Sequence, residues 1–96
     1  TDKSGDNGLK ANAYFILGKI YSESGKLSLA LEQYQLARAL REKIGNPFFV
    51  VSDLYTIADL YYQLGDYKQG IKAASEALAL AEKHDLLLKF DGTYLT

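Results

Sequence analysis

The sequence predicts an all-α fold, an α-solenoid of stacked antiparallel helix hairpins. Three observations carry this. The stretch Leu17-Gly18-Lys19-Ile20-Tyr21 to Gly25 returns as Ile57-Ala58-Asp59-Leu60-Tyr61 to Gly65, a shift of 65 − 25 = 40 residues. A period in that range marks repeat architectures. The same shift aligns Ala37 with Ala77, Ala39 with Ala79, Leu40 with Leu80, Glu42 with Glu82 and Lys43 with Lys83. Within each copy, apolar residues recur at three- and four-residue steps, the helical period. Gly25, Gly45 and Gly65, and the single proline at Pro47, stand between these periodic segments rather than inside them.

The elements follow in order. Residues 1–8 are small and polar and read as a turn, the end of a truncated preceding repeat. Leu9 to Ser24 forms the first helix, with Leu9, Ala13, Ile16, Leu17, Ile20 and Tyr21 as its inward stripe. Gly25 closes it, because glycine accepts the left-handed conformation of a helix end. Leu27 to about Ile44 is the second helix, carrying Leu27, Ala30, Leu31, Tyr34, Ala37 and Leu40, and Gly45-Asn46-Pro47 stops it. The third runs from about Phe48 to Leu64 on Val51, Leu54, Ile57, Ala58, Tyr61 and Leu64. After Gly65-Asp66, the fourth runs from about Tyr67 to His84 with Ile71, Ala74, Ala77, Leu78 and Ala81 inward. Leu86 to Thr96 reads as the opening of a fifth helix; a short strand at Leu86-Leu87-Leu88 is the alternative, with nothing else in the chain to pair with it. The organisation is thus 9–48 and 49–88 as two repeats, with 89–96 opening a truncated third. A lone hairpin cannot bury its apolar stripe, whereas stacked hairpins bury it between neighbours.

Composition narrows function. The chain has 96 residues, 48% of them hydrophobic, enough for one domain near the lower size for a comfortable core. Eleven basic and twelve acidic residues are interspersed, for a net charge of −1. That excludes the clustered positive surplus of a nucleic-acid-binding face and a polybasic membrane anchor. No uncharged run approaches the length of a membrane span. The chain has no cysteine, hence no disulfide, thiolate nucleophile or thiolate-ligated metal, and this does not fix the compartment.

The motif residues resemble the tetratricopeptide repeat. The first copy supplies Tyr14, Leu17, Gly18 and Tyr21, then Ala30, Tyr34 and Ala37; the second supplies Leu54, Ile57, Ala58 and Tyr61, then Gly70, Ala74 and Ala77. The resemblance covers about residues 10–84. It implies a superhelical stack and a protein-interaction module. Two departures stand out. Glu42 and Glu82 occupy the place of the proline that usually ends the second helix. The period is 40 residues rather than about 34, which lengthens the second helix by a turn and resembles the long-repeat class of signalling scaffolds and bacterial sensor segments.

Catalytic, metal and cofactor chemistry finds no footing. His84 is the only histidine and sits near a helix end, where a cation complements the dipole. Asp2 to Gly8 fails as a calcium loop, since its glycine falls one place late and Ala13 stands at the twelfth position. Gly5-Asp6-Asn7-Gly8 lacks the preceding strand and the following Gly-Lys-Ser/Thr of a phosphate loop. The carboxylates interleave with Lys and Arg at helical spacing, as solvated helix faces do.

The resemblance places the first helix of each hairpin along a concave groove, the expected seat of a protein or peptide. Its candidate binding residues are Asn12, Phe15, Lys19, Ser22 and Glu23 in the first copy and Ser52, Tyr55, Asp59, Tyr62 and Gln63 in the second. Phe15, Tyr55 and Tyr62 lie off the stripe that carries Tyr21 and Tyr61, so they are available to a ligand or to neighbouring repeats. Chaperone-binding members of the family grip a C-terminal carboxylate with Lys, Asn and Arg at such places; Phe15, Tyr55 and Asp59 stand there, so no such clamp is expected. The leading expectation is a non-catalytic binding scaffold. The alternatives are a ligand-sensing segment of a signalling or transcription-regulating protein, and a structural spacer. Open solenoid ends lead one to expect self-association.

Overall fold

The computed structural model describes residues 3–85, with side chains from Asp6 onward, and shows four helices. They are α1 (Lys3–Glu23), α2 (Leu27–Ile44), α3 (Pro47–Leu64) and α4 (Tyr67–Lys83). The start of α1 differs from expectation. Residues 3–8 are its first turns rather than a turn outside it. No proline interrupts them, and Asp6 lies in the first turn, where an acidic group complements the helix dipole. The expected fifth helix lies outside the described residues.

The corners repeat as the helices do. Gly25, Gly45 and Gly65 have φ of 80°, 86° and 86°, the left-handed region that side chains disfavour. The Lys26 N–H donates to Tyr21 O at 2.8 Å and the Asp66 N–H to Tyr61 O at 2.9 Å, the same helix-closing bond 40 residues apart. Asn46 caps α3 by accepting from the Phe49 N–H at 3.3 Å, with Pro47 in its first turn. Asp66 caps α4 by accepting from the Gln69 N–H at 3.3 Å. Lys26, at the equivalent place on α2, provides no side-chain cap.

The helices pack in sequence order: α1 on α2, α2 on α3, α3 on α4. The inner helices α2 and α3 therefore bury two faces each. One core cluster joins Ala30 and Tyr34 of α2 to Ile57, Ala58 and Leu60 of α3 and Ala73 of α4. A second joins Val50, Val51 and Leu54 of α3 to Ala77 and Ala81 of α4. Small residues set the helix separation. A Cβ added to Gly18 would lie 3.0 Å from the Tyr34 ring, so the glycine is what admits that ring. In the second hairpin Ala74 stands in the ring's place, and Ala58 takes the place of Gly18.

The outer helices correct two expected stripes. Ala11, Gly18 and, in part, Tyr14, Phe15 and Tyr21 turn α1 inward, while Leu9, Ala13, Ile16, Leu17 and Ile20 are exposed. On α4, Gly70, Ala73, Ala77 and Ala81 are buried, and the expected inward residues Ile71 and Leu78 are exposed; Leu64 of α3 is exposed as well. The reason is geometric. Each repeat carries apolar residues on two faces, and α1 and α4 pack chiefly on a single described neighbour.

One polar cluster locks α1, α2 and α3 together. Arg41, buried near the end of α2, donates through Nη1 to Asp53 Oδ1 on α3 at 2.6 Å and through Nη2 to Asn12 Oδ1 on α1 at 3.0 Å. Its guanidinium lies between the rings of Phe15 and Phe49, 5.2 and 4.9 Å from their centroids. Asp53 is wholly buried, and its Oδ2 has no hydrogen-bond partner among the described residues. Burial pushes the Asp53 carboxyl up to about 6; the charge and hydrogen bond of Arg41, and the more distant Arg38, oppose that rise without cancelling it.

Two outcomes follow. Lys26 and Asp66 share nearly the same backbone angles (φ −91°, ψ 72° and φ −92°, ψ 73°), so Lys26→Asp should gain the missing cap. We expect it to stabilise the fold by about 1 kcal/mol, a rise of about 4–8 °C in the midpoint of thermal unfolding followed by circular dichroism. The second concerns pH. Between the ordinary Asp value of 3.8 and about 6, the folded chain holds a proton on Asp53 that the unfolded chain releases. Stability contributed by this group therefore rises as pH falls from 7.5 to 5, by about 1 kcal/mol. Asp53→Asn should remove that dependence. A wild-type midpoint that falls over the same interval would contradict the assignment.

Candidate functional site

The ten candidate residues divide by what the fold does with them. On α1, Asn12 is exposed but its Oδ1 is engaged by Arg41. Phe15 is half-buried; its ring meets Tyr34 edge-on at 5.1 Å and flanks the Arg41 guanidinium. The first hairpin thus uses Phe15 in its own packing, contrary to the expectation that its core does not need it. Ser22 is half-buried, and only Lys19 and Glu23 of that set point freely to solvent.

On α3 all five candidates, Ser52, Tyr55, Asp59, Tyr62 and Gln63, are exposed. They keep to one face because 52, 55, 59, 62 and 63 follow the helical period. The opposite sides of α3 are occupied, Asp53, Ile57 and Leu60 against α2 and Leu54 and Ala58 against α4. Gln63 Nε2 donates to Asp59 Oδ2 at 2.8 Å, one helical turn apart. The Tyr62 ring lies 5.8 Å from that of Tyr67 on α4, which steadies it without covering it. The result is a polar–aromatic face: two tyrosines seven residues apart, with a carboxylate and an amide between and beside them. Lys19 and Asp59, at equivalent places on the first helices of the two repeats, are both exposed and form no ion pair with each other.

Sequence reasoning missed two hollows between the helices. A cavity of about 420 Å³ is lined by Ser28, Leu31, Glu32, Gln35 and Leu36 of α2 and by Tyr61 of α3. A smaller one, about 120 Å³, brings Gln35 and Arg38 of α2 opposite Gln69, Lys72 and Glu76 of α4. None of the ten candidates lines either. The signal was present in Leu36, an exposed leucine of α2 off the buried stripe that lines the larger of the two. Among the described residues, no three His, Asp or Glu side chains gather into a group able to hold a metal ion. No described helix is long and apolar enough to cross a membrane.

Comparison with known families agrees with this geometry. Two models described as tetratricopeptide repeat match the chain, one over residues 11–43 and one over residues 51–84. Their starts differ by 51 − 11 = 40 residues, the internal shift of the sequence, and each match spans one hairpin. No curated protein matched the chain, and no solved structure did. Taken with the paired helices and the close glycine–tyrosine contact between them, the two matches decide the family: the chain belongs to the tetratricopeptide-repeat family.

Proposed function

We propose that this chain is a non-catalytic scaffold module that binds a protein or peptide across the exposed face of α3, with Lys19 and Glu23 of α1 at its margin. Tetratricopeptide repeats generally bind such partners, which supports the class of function. The observation that carries the site is the exposure of Tyr55 and Tyr62, 46% and 41%, on a helix otherwise buried on two sides. Tyrosine presents a large, stiff, amphipathic surface at small entropic cost, and exposed aromatics beside polar groups are what interaction surfaces use. Asp59 and Gln63, already joined to one another, offer acceptors and donors at fixed places beside the rings. Asp59 favours a partner that carries a positive charge or an N–H donor between two apolar anchors. It disfavours a free C-terminal carboxylate. Asn12 and Phe15 support this face from behind, through Arg41 and Tyr34, rather than by touching the ligand.

A displayed library of random peptides, selected on the immobilised chain, tests the proposal. Selected sequences should carry apolar anchors flanking Lys or Arg. Tyr55→Ala should weaken the selected peptides at least tenfold, a loss of about 1.4 kcal/mol or more, and Asp59→Lys should act in the same direction. Both positions are solvent-exposed, so the fold should survive, and circular dichroism checks it. Peptides that bind as well to Tyr55→Ala and Asp59→Lys as to the original chain would show that this face is not the site. A library that yields no binder would favour the spacer reading.

A further inference from the structure

The 40-residue register makes the outer faces of the chain comparable with its inner junction. At that junction α3 presents Asp53, Ile57 and Leu60 to α2, and both Ile57 and Leu60 are 1% exposed. Their counterparts on α1 are Ala13, Leu17 and Ile20, where Leu17 and Ile20 are 42% and 52% exposed. On the other side, α2 presents Leu31, Arg38 and Arg41, and their counterparts on α4 are Ile71, Leu78 and Ala81. Ile71 and Leu78 are again exposed. So, among the described residues, the large apolar side chains of one copy of each half of the same helix–helix junction, Leu17 and Ile20 on α1 and Ile71 and Leu78 on α4, are exposed, while Ala81 is already buried against α3.

The two uncovered halves match each other better than either matches the inner junction. The buried pair Arg41–Asp53 is replaced on both sides at once, by Ala81 and Ala13. Joining α4 to α1 of another copy therefore buries no lone charge, which joining α2 to α1 would do with Arg41. Arg38 lies opposite Gln69 and Glu76 within the chain. The corresponding set is Leu78 opposite Leu29 and Leu36, so a polar contact becomes an apolar one on both sides together, and the exposed leucines of α2 acquire a role. Glu42 lies beside Val50 and Lys83. The corresponding set is Glu82 beside Lys10 and Lys43, one carboxylate between two cations.

We infer that a second copy of this chain is the partner for these faces, docking head to tail with its α4 against α1 as α2 docks against α3. Such a contact is heterologous, so it leaves one free face at each end and growth continues as concentration rises. Leu17, Ile20, Ile71 and Leu78 form its apolar centre. Glu82 with Lys10 sets the register at its edge.

Sedimentation velocity on the whole chain, across a wide concentration range, tests this. The original chain should show a mean mass that climbs past the dimer. Ile20→Glu, which spoils the α1 face, and Leu78→Glu, which spoils the α4 face, should each remain monomeric. Mixed in equal amounts they should form a dimer that grows no further, since each retains the face the other has lost. Lys10→Glu should weaken association at least tenfold, and adding Glu82→Lys to it should restore it. Both apolar positions are exposed in the single chain, so circular dichroism should show each variant folded. A chain that stays monomeric at every concentration overturns the proposal. So does a dimer formed by either single variant alone, which would mean a face pairing with itself.

Discussion

The contact between Arg41 and Asp53 is what the arrangement of the two hairpins depends on. Each hairpin is held by small residues and aromatic packing within itself, but the junction between them rests chiefly on one helix pair, α2 on α3. A buried cation and a buried anion lie 2.6 Å apart at its centre. Removing two charges from water is costly, and a buried pair is weak evidence for stability by itself. Its effect is on geometry. Arg41 must satisfy Asp53, Asn12 and two aromatic faces at once, and few angles between the hairpins allow that. The cluster therefore fixes how α3 sits on the first hairpin, and with it the direction in which Tyr55, Asp59 and Tyr62 face.

This accounts for the division of the candidate residues. Asn12 and Phe15 are drawn to Arg41, so of the five candidate residues on α1 chiefly Lys19 and Glu23 are left free at the surface. On α3 the equivalents of Asn12 and Phe15 are Ser52 and Tyr55, and the equivalent of Arg41 on α4 is Ala81. With no guanidinium to hold them, Ser52 and Tyr55 remain on the surface. The two repeats thus expose different residues at these places, although their backbones follow the same plan.

The repeat also varies in matched pairs. Gly18 faces Tyr34 where Ala58 is in register with Ala74, and Arg41 with Asp53 corresponds to Ala81 with Ala13. A substitution in close-packed structure is tolerated best when the facing residue changes to suit it. The Gly18–Tyr34 pair shows how a small residue on one helix of a hairpin admits a large one on the other.

The sequence by itself determined the helices, their corners and the family. Helical periodicity, the three corner glycines and Pro47 are local signals, set by backbone sterics and one-turn neighbours, and the helix ends fall close to them everywhere except at the start of α1. Which apolar face of each helix is buried was decided only by the tertiary structure. An apolar stripe says that a face can be buried and does not say that a neighbour is there; on α1 the aliphatic stripe is exposed while Ala11, Gly18 and the rings of Tyr14, Phe15 and Tyr21 turn inward, because the Tyr34 ring of α2 packs against Gly18 and Phe15. Asp53 was equally hidden in the sequence, since a carboxylate on a helix is ordinarily solvated. Only the approach of Arg41, twelve residues earlier in the chain, makes its burial possible.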